Sequence, residues 1–164
     1  MKSPCIAAVF VACLAVLWGG CASSSAPKDY KPTLTRFFLE SATGDGTPIT
    51  LPKSGVRLAV NPKPVITEGD IVNVEVVQVD LGKCLFFQLS PTATRDFYRM
   101  SVSHQGRRLV LVINDVPLGA RRIDGAITNG VIYVFAEMAD AELPELVANL
   151  KKTSVALQKE LAKP

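Results

Sequence analysis

The chain has 164 residues, 48% of them hydrophobic and 20% charged, which is apolar material for one core and predicts a single domain. Its 18 basic and 15 acidic side chains leave a formal charge of +3. That balance is too mild to indicate a nucleic-acid partner or a strongly anionic one.

Residues 1–20 have the form of an export signal. Lys2 supplies the positive start, Ile6 to Leu17 run without a charge, and Gly19 and Gly20 precede Cys21. The apolar stretch is shorter than the ~20 residues of a membrane-spanning helix, so cleavage is expected. Leu17-Trp18-Gly19-Gly20-Cys21 resembles the lipobox of bacterial lipoproteins, although Trp18 stands where an aliphatic residue is preferred. The resemblance implies acylation of Cys21, palmitate included, and a lipid-anchored protein of the cell envelope. Ala22, in place of an aspartate after the cysteine, implies the outer membrane, with the domain facing the periplasm. Cys5 and Cys13 leave with the signal, so Cys84 is the one free thiol expected in the mature domain and no internal disulfide is available. Its run Cys84-Leu85-Phe86-Phe87 predicts a packed, inert side chain.

Residues 21–32, small and polar with two prolines, read as a tether. Residues 33–63 form an N-terminal extension. A strand is predicted over Thr33–Glu40, a break at Gly44-Asp45-Gly46-Thr47-Pro48, and a short strand over Val56–Val60 stopped by Asn61-Pro62-Lys63-Pro64. Residues 64–164 form the main α+β domain. Val72, Val74 and Val76 share one face, and Val77, Val79 and Leu81 follow out of phase, which predicts a bulge between the two sets. Cys84 to Leu89 is apolar on both faces and suits a central strand.

Ser90-Pro91 opens a helix, with the serine as cap and proline at the first helical position. Ala93, Phe97, Met100 and His104 recur at helical spacing, and Gly106 ends it. Arg108–Ile113 is a buried strand, Asn114-Asp115 a two-residue hairpin turn, and Val131–Phe135 a strand buried on both faces. Asp140 is the predicted cap of a last helix, from Ala141 to Leu161 and about 30 Å long, with Pro144 in its first turn. The order predicts an α+β fold: an antiparallel or mixed sheet with two helices on one face.

Within residues 64–150, several stretches are similar to the head of the first periplasmic domain of SecD, a subunit of the SecDF export motor. They are Ile66-Thr67-Glu68-Gly69-Asp70-Ile71, Phe87 to Thr94 with Phe97, Gly106 to Asp115, Ile127-Thr128-Asn129-Gly130, and the helix from Ala141 to Leu150. About half the chain is covered, by short and mostly hydrophobic pieces that bear on fold. The resemblance implies a SecD head-like domain standing alone, and by analogy a surface that touches other proteins or unfolded polypeptide. SecD couples to the proton gradient through membrane helices that have no counterpart in this sequence, so no motor activity is expected. A structural accessory subunit of an envelope complex is the alternative, with a hydrolase a distant third.

Candidate sites are few. With Asn114-Asp115 as the turn, Arg107 faces Arg122 and Arg108 faces Arg121. Like charges opposite one another in a sheet cost stability unless relieved, so Arg107, Arg108, Arg121 and Arg122 form a candidate patch for an anionic partner. A solvated positive face in another register is the plainer interpretation. His104, the only histidine, suits a helix C-terminus better than a general base. Asp115 and Asp124 flank the hairpin as a candidate carboxylate pair, and Gly44-Asp45-Gly46 is a turn without phosphate-loop context. Neither metal-ligand spacing nor a cofactor motif is present, and no enzyme is expected. The end of the last helix, with Leu157 and Leu161 beside Lys151, Lys152 and Lys159, is a second candidate contact, for a partner helix or a membrane surface.

Overall fold

Eight strands, two α-helices and a short 3-10 turn at Glu68–Asp70 make up the described residues 29–161 in this computed structural model. The expected export signal and Cys21 lie outside the described residues. The strands are β1 (Thr35–Glu40), β2 (Thr47–Thr50), β3 (Arg57–Ile66), β4 (Ile71–Val79), β5 (Gly82–Leu89), β6 (Arg108–Ile113), β7 (Val116–Arg122) and β8 (Val131–Val134). The helices are α1 (Pro91–Ser103) and α2 (Leu143–Leu161). All strand pairs are antiparallel, in agreement with the expected α+β class. They divide into two sheets, ordered β2-β3-β1-β6-β7 and β4-β5-β8.

One core lies between these layers. Phe37, Leu39, Leu109, Leu111 and Ile113 of the larger sheet meet Val74, Leu85, Phe87, Leu89, Ile132 and Val134 of the smaller. The rings of Phe37 and Phe87 sit edge to face at 5.1 Å, a favoured aromatic geometry. Phe97 of α1 and Leu143, Val147 and Leu150 of α2 close the same core. A smaller cluster on the other face of the large sheet joins Leu58, Val60 and Val110. The sheets approach one another where β7 passes the chain after β8: Glu137 donates its backbone N–H to the Leu118 carbonyl at 2.5 Å. Gly119 faces the Phe135 carbonyl so closely that any Cβ would collide with it.

Local signals placed α1 and the hairpin well. Ser90 Oγ accepts the Ala93 N–H at 3.3 Å, Pro91 opens the helix, and Gly106 beyond it has φ +84°. Asn114 and Asp115 adopt φ of 47° and 65°, the left-handed pair that a two-residue hairpin requires. β5 is the central strand of its sheet, as its doubly apolar pattern predicts.

Five expectations are corrected. β3 runs through Asn61-Pro62-Lys63-Pro64 instead of stopping there. Its neighbour β2, unforeseen in the sequence, pairs only as far as Val60, so both prolines lie where β3 has β1 alone beside it and fewer donors are needed. The irregularity in β4 falls between Ile71 and Asn73, which turns Val72 outward at 47% exposure, and the pairing from Asn73 to Val79 is regular. β8 is an edge strand with Tyr133 exposed, so it is buried on one face only. α2 starts at Leu143, later than expected: Glu142 Oε2 accepts the Ala139 N–H at 3.0 Å, and Asp140 lies before the helix, 4.0 Å from Lys83 Nζ. Last, the β6–β7 register differs, with consequences for the arginines.

Candidate functional site

The pairing of β6 with β7 is irregular between Leu111 and Val112, where Leu118 is the extra residue on β7. Because strand side chains alternate with period 2, one extra residue reverses which face the rest of the strand presents. Arg108 therefore stands opposite Arg122, and Arg121 stands opposite Leu109, not opposite Arg108. The expected pairing of Arg107 with Arg122 and of Arg108 with Arg121 does not form. The four guanidinium groups divide between the two faces and find local partners.

Glu40 at the end of β1 organises two of them. Its carboxylate accepts the Arg108 backbone N–H at 2.9 Å and lies 3.5 Å from Arg108 Nη1. The Arg107 guanidinium donates to the Glu40 carbonyl through Nε and Nη2. Arg122 lies 3.8 Å from Asp124, and Arg121 donates to the Tyr133 carbonyl at 3.4 Å. The like-charge pair Arg108–Arg122 is thus relieved by two carboxylates of the protein itself. Glu40 escaped sequence reasoning because only the distant pairing of Leu39 with Leu109 places it there.

The remaining candidates are separated. Asp115 sits in the hairpin turn while Asp124 follows its open end, so they form no carboxylate pair. His104 is the C-terminal cap of α1: its Nδ1 lies 2.9 Å from the Met100 carbonyl. Cys84 is 1% exposed, and burial pushes its thiol above the ordinary value despite the opposing charge of Arg121. Among the described residues, no three of His, Cys, Asp and Glu converge as a metal site would require, and no helix is long and apolar enough to cross a membrane.

Two polar clasps hold the periphery. Glu137 accepts the backbone N–H groups of Lys53 and Ser54 at 2.8 and 2.9 Å, tying the β2–β3 turn to the chain after β8. Burial alone would raise its carboxyl pKa. Its hydrogen bonds with Ser54 and Lys53 and the Lys53 charge outweigh that and lower it. At the β3–β4 junction, Asp70 Oδ2 accepts both the backbone N–H and the hydroxyl of Thr67, at 2.8 and 2.9 Å. The Ser90 N–H then donates to the Asp70 carbonyl at 2.8 Å, so the Thr67–Asp70 turn seats the start of α1.

On α2, residues 143, 147, 150 and 153 face inward. At 100° per residue, Lys151, Lys152, Val155, Ala156 and Lys159 fall together on the opposite side. Lys152 is joined there by the N-terminal segment: its Nζ lies 3.1 Å from Asp29 and 5.8 Å from the centre of the Tyr30 ring.

By sequence, no family model and no curated protein matches the chain. Solved structures do. A structure described as that of a membrane component SecDF that enhances protein export aligns with TM-score 0.58 at 16% identity, over 74% of this chain and 63% of that one. A crystal structure of SecDF in a super-membrane-facing form aligns with TM-score 0.58 at 17% identity, over 73% of this chain and 18% of that one. SecDF of Thermus thermophilus, described as a translocon-associated membrane protein, aligns with TM-score 0.50 at 18% identity, over 76% and 20%. The chain thus spans less than two thirds of each of these three structures. What the likeness establishes is the fold, a SecD head-like α+β domain.

Proposed function

We propose that this protein is an exported, lipid-anchored domain of the bacterial envelope that contacts other polypeptides at the membrane surface without catalysing a reaction. What supports the proposal is the SecDF-like fold together with the stretch Leu17–Cys21, which resembles a lipobox. A head of this shape belongs in SecDF to a membrane component that enhances protein export. Here the acylated cysteine takes the place of a membrane helix as the means of attachment. The outer membrane, facing the periplasm, is the proposed location, since Ala22 follows the cysteine. The exposed aromatics Tyr133 and Phe135 beside the edge strand β8 offer apolar surface for an extended chain.

A photo-crosslinker at Tyr133 in living cells tests this. Recovery of many unrelated exported chains supports polypeptide binding, and one stoichiometric partner replaces it with a structural-subunit role. Mass spectrometry of the mature protein is expected to find a triacylated Cys21 at the amino terminus. A chain that still carries Met1 defeats the anchor.

A further inference from the structure

The mild net charge of the protein is unevenly spread along α2. Lys151, Lys152 and Lys159 share one side of α2 with Val155, which is 51% exposed, and the acidic residues of the helix are Glu145 in its first turn and Glu160 beside Lys159. That side is antipodal to the face α2 buries through Val147, Leu150 and Thr153. It is a cationic surface with an apolar residue at its centre, the composition that suits a bilayer interface.

The route of the N-terminal segment adds a second, independent observation. Thr33 is fixed to Thr153 by a buried hydrogen bond of 2.9 Å, and Asp29 and Tyr30 lie against Lys152. Cys21 precedes Asp29 by 8 residues, a length of chain that can span at most ~28 Å. A lipid on Cys21 therefore keeps this side of α2, where Asp29 meets Lys152, within that distance of the bilayer.

We propose that the face formed by Lys151, Lys152, Val155, Ala156 and Lys159 docks on the anionic phospholipid headgroups of the membrane to which the chain is tethered. The proposal deepens the function above and rests on its lipid anchor for orientation. The ammonium groups of Lys151 and Lys159 meet headgroup phosphates while Lys152 holds Asp29 and Tyr30 at the edge of the face, Val155 enters the interfacial region, and the two sheets are directed away from the bilayer.

The test uses the full acylated protein reconstituted in phosphatidylcholine vesicles with and without phosphatidylglycerol, each containing a lipid with a headgroup-attached quencher. A fluorophore is placed at Val155→Cys or, as control, at Asp45→Cys, which is exposed beyond the far end of β1. Quenching at position 155 is expected to exceed that at 45 several-fold, to need phosphatidylglycerol, and to fall in high salt and in a Lys151→Gln, Lys152→Gln, Lys159→Gln triple variant. Equal quenching at both positions, or quenching indifferent to lipid charge and to the three lysines, overturns the proposal. Should Cys21 prove unmodified, the anchor fails by itself, and a Cys21→Ser chain decides docking through co-sedimentation with phosphatidylglycerol vesicles. Salt-sensitive binding weakened about tenfold by the triple variant upholds docking, and no binding rejects it.

Discussion

The backbone N–H of Thr33 donates to Oγ1 of Thr153 at 2.9 Å, a buried bond across 120 residues of sequence. Thr153 Oγ1 donates in turn to the Asn149 carbonyl at 2.8 Å, so one hydroxyl joins the entry to β1 with the middle of α2. Thr153→Val keeps the shape and leaves the Thr33 N–H without its acceptor. It should lower stability by about 1–3 kcal/mol, whereas Thr153→Ser should retain most of it. Urea midpoints at constant slope check both.

Gly119 is required by proximity and not by a left-handed backbone. A Cβ there meets the Phe135 carbonyl and comes within 2.9 Å of Val134 Cγ1. Gly119→Ala must spread the joint between the two sheets and should cost about 1–3 kcal/mol. Thermal unfolding of that variant beside Gly125→Ala, which meets nothing within 4 Å, provides the comparison.

Glu137 supplies a pH dependence of definite sign. Its pKa is lowered in the folded protein, so its stabilising contribution is complete above the unfolded value and is lost as pH falls through the folded one. Wild type should therefore lose stability faster than Glu137→Gln as the solution is acidified from about pH 7 to about pH 3. Denaturant midpoints measured across that range, with parallel curves for the two proteins, would remove Glu137 from the account.

Cys84 is buried with its thiol pKa raised, so little thiolate forms near neutrality and access is blocked. A maleimide should modify position 84 only as fast as the domain opens, and unfolding in urea should release the reaction. Rapid labelling of the native domain at Cys84, located by peptide mass, would contradict the burial.

Elements that depend on neighbouring residues were legible before the fold. Ser90-Pro91 with Gly106 bounds α1, Asn114-Asp115 forms the turn, and the doubly apolar Cys84–Leu89 run is a central strand. What depended on distant partners was not. β2 has only four residues, Thr-Pro-Ile-Thr, and is held by β3 across a loop. Leu118 reads as one more apolar residue of a strand until its opposite number is known. That single bulge replaced the Arg107–Arg122 and Arg108–Arg121 pairs inferred from ideal register with Arg108 opposite Arg122, and the β1–β6 pairing set Glu40 beside Arg108. The lysine side of α2 was visible as composition, and its docking with Asp29 and Tyr30 required the fold.

The prolines of β3 have a further effect at the scale of many molecules. Past Val60 this strand has one flank without a neighbouring strand, where an intruding chain could otherwise extend the sheet from one copy to the next. Pro62 and Pro64 contribute no N–H to such a ladder, so intermolecular sheet growth is starved of donors at that flank. Crowded copies can then lie side by side without seeding fibrils from this strand.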